Sequence, residues 1–133
     1  MKAEPFRGGK REQMFTLQKV EGKDNSFFIL TFSGKALEVS GGSTHDGAFI
    51  VQQNFDRNQS QQWFFKAPAP RPLKAERYCK LISLSAGKAI DCGYEKSAHI
   101  WDSDKSDVWE LTKPKADVTW YHLSNKKGDF LTV

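Results

Sequence analysis

At 133 residues the chain is long enough for one domain with its own core and too short for two ordinary ones. Its 38% hydrophobic content, with ten Phe and four Trp, excludes a disordered chain, and no apolar run approaches the roughly 20 residues of a membrane span. A net charge of +4, scattered rather than gathered into a stripe, serves solubility and argues against nucleic acid as a partner.

Met1 to Arg11 lacks the apolar stretch of a signal peptide, so the expected compartment is the cytoplasm, or the exterior if a leader has been removed. Gln13-Met14-Phe15 then leads into a predicted strand over 13–20. A first unit over 24–66 holds strands at 27–32, 36–39, 49–53 and 62–66. The run Ala67-Pro68-Ala69-Pro70-Arg71-Pro72 reads as an extended, solvated connector. A second unit over 77–112 repeats the pattern at 77–84, 89–92, 99–101 and 108–112. Strands at 118–123 and 130–133 begin a third unit, and there the chain stops. Gly, Asn, Ser and Asp separate these segments, and Gly or Pro interrupts every window long enough to test for a helical period. The class is all-β, with strands about 8 to 12 residues apart.

Two signals set the repeat. Gly34-Lys35-Ala36-Leu37-Glu38-Val39 recurs as Gly87-Lys88-Ala89-Ile90-Asp91-Cys92 and more faintly as Gly128-Asp129-Phe130-Leu131-Thr132-Val133. Independently, an aromatic preceded two positions earlier by a polar residue recurs at Phe15, Trp63 and Trp109, 48 and 46 residues apart. Together they give three units, with 5–20 supplying what 118–133 lacks: a circularly permuted, closed arrangement in which the two ends meet and leave no sheet edge. A propeller of this period needs about four or more blades, and three units cannot close one.

Strand side chains alternate between faces. Leu37 and Val39, Ile90 and Cys92, and Ile100 therefore face a core, while Glu38, Asp91, His99 and Trp101 face outward. An outward tryptophan beside an outward carboxylate is not what a core needs. It does suit a pyranose, whose apolar C–H face can rest on an indole while a carboxylate accepts hydrogen bonds from two adjacent hydroxyls and His99 donates or accepts alongside. Cys79 and Cys92 flank a predicted hairpin turn at 85–87 and could bond, but without a signal peptide two buried thiols are expected.

At these residues the sequence resembles the ricin-B-type lectin family, whose fold is the β-trefoil. Its Gln-x-Trp signature stands in full as Gln61-Gln62-Trp63 and altered as Asp107-Val108-Trp109 and Gln13-Met14-Phe15. The resemblance implies one domain over 1–133 that binds galactose or N-acetylgalactosamine type sugars. In the second unit it implies a site of Asp91, His99, Trp101, Ser106 and Asp107. In the first unit it implies a weaker site of Glu38, Gln53, Ser60 and Gln61, with Val51 in the His99 place and Gln53 in that of the stacking aromatic. The third unit has Thr132 in the acid place and must draw its third strand from 5–11. Eroded motifs in units one and three leave a second reading, a trefoil with decayed sugar sites that binds a protein partner.

Other constellations fall away. Asp102-Ser103-Asp104 opens like a calcium loop, but Asp107 stands at its sixth position and Lys113 at its twelfth, where Gly and Glu are needed. His45 and His122 have no clustered partners, so no metal site is expected. Asn58-Gln59-Ser60 is a glycosylation sequon only in a secreted chain, and a single Arg7-Gly8-Gly9 carries little toward RNA. No Ser-His-Asp order, paired-carboxylate pocket or phosphate loop emerges, so neither catalysis nor a cofactor is expected.

Overall fold

The computed structural model describes every residue except 9, 24, 67–77, 94, 95 and 114, so the Pro-rich connector lies outside the described residues. Twelve strands are described: β1 (Lys2–Glu4), β2 (Phe15–Lys19), β3 (Ser26–Leu30), β4 (Ala36–Val39), β5 (Ile50–Gln53), β6 (Gln62–Lys66), β7 (Lys80–Ser83), β8 (Ala89–Asp91), β9 (His99–Trp101), β10 (Trp109–Thr112), β11 (Trp120–Asn125) and β12 (Phe130–Thr132). Among the described residues no helix is long and apolar enough to cross a membrane.

The strands follow a threefold plan. β2 pairs β3, β6 pairs β7 and β10 pairs β11, while β3–β6, β11–β2 and the Cys79↔Trp109 bridge join these pairs into a closed barrel of six strands. Three hairpins cap one end: β4–β5, β8–β9 and β12–β1. The third joins the two ends of the chain. This is a β-trefoil, and closure leaves the barrel without a free edge.

Three of the six barrel strands, β3, β7 and β11, each pass into a cap strand through one turn, which explains the repeated glycine. Gly87 adopts φ 68°, with Gly34 and Gly128 at 83° and 87°, a left-handed conformation open to glycine at little cost. In each turn the glycine N–H donates back to the end of the barrel strand, to Thr31, Ser83 or Asn125.

The core repeats in triplets. Phe15, Trp63 and Trp109 are wholly buried, as are Ile29, Leu81 and Leu123 from the barrel and Leu37, Ile90 and Leu131 from the cap. Each such side chain contributes about 1.5–3 kcal/mol of apolar burial. Buried indole N–H groups need acceptors. Trp63 Nε1 donates to the Leu37 carbonyl and Trp109 Nε1 to the Ile90 carbonyl, both at 3.1 Å, tying cap to barrel.

One expectation is corrected. The third cap hairpin draws its second strand from Lys2–Glu4 and not from 5–11, because Leu131 needs an apolar partner and finds it in Ala3. Cys79 and Cys92 are both free thiols, as expected, with Cys92 buried and Cys79 partly so. The register Ile82↔Ala89 would bring them opposite, but after that pair β7 stays in the barrel while β8 turns into the cap, and Cys79 pairs Trp109 instead. Burial pushes the two thiols up to about 11 and about 12, so both are protonated at neutral pH.

His122 on β11 is buried among Phe6, Trp120 and Phe130, whose rings meet it edge-on at 5.3, 5.0 and 5.4 Å, and its Nε2 has no hydrogen-bond partner among the described residues. Burial lowers its pKa below the usual value, since charging the ring there forfeits hydration. The unfolded chain, titrating near pH 6.5, then binds the proton more readily, so stability falls as pH drops through that value toward the folded one. Urea midpoints measured from about pH 7.5 to 5.5 should decline in the parent protein, and His122→Phe should flatten the decline. Parallel declines in both proteins would show that the ring does not set the slope.

Candidate functional site

Asp91 on β8 pairs His99 on β9, and Trp101 pairs Ala89. Because Ile90 and Ile100 face the core, Asp91, His99 and Trp101 share the outward face. They line a cleft of about 550 Å³ together with Gly47, Phe49, Gly93 and Ser97. Trp101 is 37% exposed and meets the His99 ring edge-on at 6.0 Å and 89°.

Asp91 lies deeper than expected, at 8% exposure, because its carboxylate is held by the protein. Oδ1 accepts from the Asp107 N–H at 2.8 Å, and Oδ2 accepts from the Gly93 N–H at 3.1 Å and faces His99 Nε2 at 3.0 Å. A carboxylate offers about four lone-pair positions, so roughly one remains for a ligand. It cannot take two hydroxyls at full strength. A Cβ at Gly93 would stand 3.1 Å from Asp91 Oδ2, so the missing side chain leaves room for this close approach.

His99 is also committed. Its Nδ1 lies 2.8 Å from the Ser97 carbonyl and its Nε2 faces Asp91, so both ring nitrogens already have protein partners. It orients the carboxylate and supports the indole; it does not offer a free donor to a ligand.

Ser106 and Asp107 sit behind the site instead of lining it. Asp107 Oδ2 accepts from the Cys92 N–H at 2.9 Å, the reciprocal of the bond its own N–H gives Asp91. The Ser106 carbonyl and Oγ accept from Lys80 Nζ at 2.8 and 3.2 Å. Burial lowers the Lys80 pKa, an effect opposed by Asp107 and the neighbouring acids.

In the first repeat, Gln61 is wholly buried and serves as a clamp. Its Oε1 accepts from the N–H groups of Asp56 and Arg57, both at 3.1 Å, while Nε2 donates to the Asn54 carbonyl at 2.7 Å and to Glu38 Oε1 at 3.1 Å. Asn58 donates to the same Glu38 oxygen at 3.2 Å, and Ser60 donates to Asn58. Gln53 occupies the place of Trp101, and Glu4 occupies it in the third cap hairpin. Gln13 repeats the clamp, taking the Arg7 N–H and donating to Pro5 and to Thr132 Oγ1. Only the second repeat has an aromatic platform at this position.

Sequence reasoning missed Phe49. Its phase opposite Ile50 marks it as outward, but nothing local shows where it lands. The structure pairs it with His99 of the next repeat, and its ring is 60% exposed in the same cleft as Trp101.

The family described as ricin-type beta-trefoil lectin domain-like matches residues 11–92. No curated protein matches the sequence. Among solved structures the chain is similar to ThreeFoil, a designed 3-fold symmetric protein, with TM-score 0.63 and 22% identity over 90% of this chain and 76% of that one. It is also similar to part of an exo-beta-1,3-galactanase from Clostridium thermocellum, with TM-score 0.60 and 21% identity over 95% of this chain and 23% of that one. A lectin from Polyporus squamosus, solved with the human-type influenza-binding epitope Neu5Acα2-6Galβ1-4GlcNAc, gives TM-score 0.52 and 14% identity over 80% of this chain and 34% of that one.

The clamp geometry makes Gln61 a stability determinant. Gln61→Ala deletes a wholly buried amide and strips the N–H groups of Asp56 and Arg57 of their acceptor; a part-buried hydrogen bond of this kind contributes about 0.5–1.5 kcal/mol. Urea denaturation should show a loss within that range or somewhat above it. An unchanged midpoint would show that water replaces the amide without penalty.

Proposed function

This chain belongs to the ricin-type beta-trefoil lectin domain-like family, and on that premise we propose that it binds carbohydrate of the galactose or N-acetylgalactosamine type through the cleft of its second repeat. The observation that carries the reading is the half-open Trp101 indole beside the anchored Asp91 carboxylate. The indole offers a flat apolar platform to the C–H face of a pyranose. The carboxylate, fixed by Asp107, Gly93 and His99, keeps about one acceptor position for a hydroxyl. His99, Ser106 and Asp107 act through these two residues, as positioning groups. The reading is of a binding module, in keeping with a lectin-like family, and not of an enzyme.

We read 1–133 as one domain with repeats near 24–66 and 77–112, the third formed by 118–133 and the N-terminal residues. The galactose preference comes from the resemblance of the Gln-x-Trp and apolar-Asp-apolar strands to ricin-B-type repeats. The galactanase and the sugar-bound lectin among the similar folds are consistent with it. The first and third repeats favour the second reading, a protein-binding trefoil, at their own surfaces. They carry Gln53 and Glu4 where the platform would stand, and exposed Phe6 and Phe32 lie away from the cleft.

Calorimetric titration with galactose, N-acetylgalactosamine and lactose tests the proposal. A single site of this kind should bind with a dissociation constant on the order of 0.1–1 mM, about 4–5.5 kcal/mol. Trp101→Ala should weaken binding at least about tenfold and change stability by less than about 1 kcal/mol, because the ring is partly in solvent. Loss of several kcal/mol would mean the ring is core, and no heat with any sugar would overturn the carbohydrate reading.

A further inference from the structure

We propose that the cleft takes a neutral glycan of at least two consecutive sugar rings, one on Trp101 and the next on Phe49; this rests on the carbohydrate reading above. Of the four large hydrophobic side chains that stand exposed among the described residues, these two share one concavity. They come from different repeats, so the cleft is assembled between the first and second.

Phe49 is held in place by its backbone. Gly47 N donates to the Ile100 carbonyl at 2.8 Å, Ile100 N to Ala48 at 2.9 Å, and Ile50 N to Ala98 at 3.0 Å. This pins 47–50 antiparallel to β9 with Phe49 opposite His99. Directly opposed residues of an antiparallel pair project to the same face. Phe49, His99 and Asp91 therefore form a row across three neighbouring strands, with Trp101 one step along β9. Strands lie about 4.7–4.9 Å apart, which places Phe49 and Asp91 roughly 9–10 Å apart across the row. A single six-membered ring stacked on Trp101 and bonded to Asp91 leaves Phe49 uncovered, and a second linked ring covers it.

The polar inventory supports an apolar mode for that second ring. Asp91 has about one acceptor position left and His99 has both nitrogens engaged. No Lys or Arg lines the cleft among the described residues, and the nearby Lys88 is turned to Asp46 at 3.1 Å. A carboxylate or sulfate on the ligand would meet the Asp91 charge with no Lys or Arg to offset it, the His99 ring being already engaged with Asp91 and the Ser97 carbonyl.

Paired methyl glycosides and disaccharides of galactose, N-acetylgalactosamine, glucose and mannose, together with sialyllactose, should be titrated into the parent, Phe49→Ala, Phe49→Tyr and Trp101→Ala. The disaccharide of the binding pair should bind about tenfold tighter than its methyl glycoside, equivalent to about 1.4 kcal/mol. Phe49→Ala should erase that increment while leaving methyl glycoside affinity within about twofold, and Phe49→Tyr should restore it. Trp101→Ala should weaken both ligands. Equal affinity of the parent for one ring and two overturns the second subsite, as does an equal loss of both ligands in Phe49→Ala. Tighter binding of sialyllactose than of lactose overturns the neutral-ligand clause. Binding of no saccharide at all overturns the carbohydrate reading together with this one.

Discussion

The hydrogen bond from the Trp109 indole to the Ile90 carbonyl sets the position of the whole site. An indole N–H buried without an acceptor is strongly disfavoured, so the wholly buried ring holds the β8 backbone against the barrel. With Ile90 fixed inward, strand alternation leaves Asp91 no choice but the outer face, and the register Asp91↔His99 brings His99 and then Trp101 to the same side. The first repeat uses the same bond, from Trp63 to Leu37. The third cannot, because the Phe15 side chain has no N–H. There the remaining ties are Gln13 to Thr132 Oγ1, the counterpart of Gln61 to Glu38, and Val133 N donating to the Glu12 carbonyl.

Much of this was legible because it is local. The Gly-Lys-Ala blocks record a turn that needs a left-handed residue, and the spaced aromatics record barrel residues that recur once per repeat. The strand at 99–101 and the inward phase of Ile90, Cys92 and Ile100 follow from alternation alone. What alternation cannot give is depth: facing outward is not the same as being exposed. Asp91 and His99 do face outward, yet each covers the other, and backbone N–H groups from Gly93 and Asp107 close over the carboxylate. Those partners lie up to 16 residues away in a loop with no periodic signal. The polar residue of the Gln-x-Trp pattern is misleading for the same reason. Gln61 and Gln13 look available in the sequence, but each has its amide consumed by the loop that precedes it.

Phe49 marks a second limit. A repeat-by-repeat reading treats each unit as holding its own site. The trefoil, however, lays the loop before β5 along β9 of the next unit, and the cleft has walls from both. No single-repeat motif can encode that neighbour relation; it follows from closure of the barrel.

An acid is present in two repeats, so the carboxylate is not what distinguishes the second. Glu38 is drawn by the Asn58 and Gln61 amides and has Val51 and Gln53 beside it, whereas Asp91 has His99 and Trp101. A charge-assisted hydrogen bond contributes about 1.5–3 kcal/mol, less than the roughly 4 kcal/mol of even a millimolar complex. An acid with about one open acceptor position cannot hold a sugar unaided, and apolar contact must supply the difference. In the proposed complex Trp101 and Phe49 would supply it at low ordering cost, one supported by the His99 ring and the other by three backbone hydrogen bonds. On the proposed reading the labour divides: the fixed carboxylate would set which hydroxyl faces the wall, and the two rings would set how long a ligand the wall can hold.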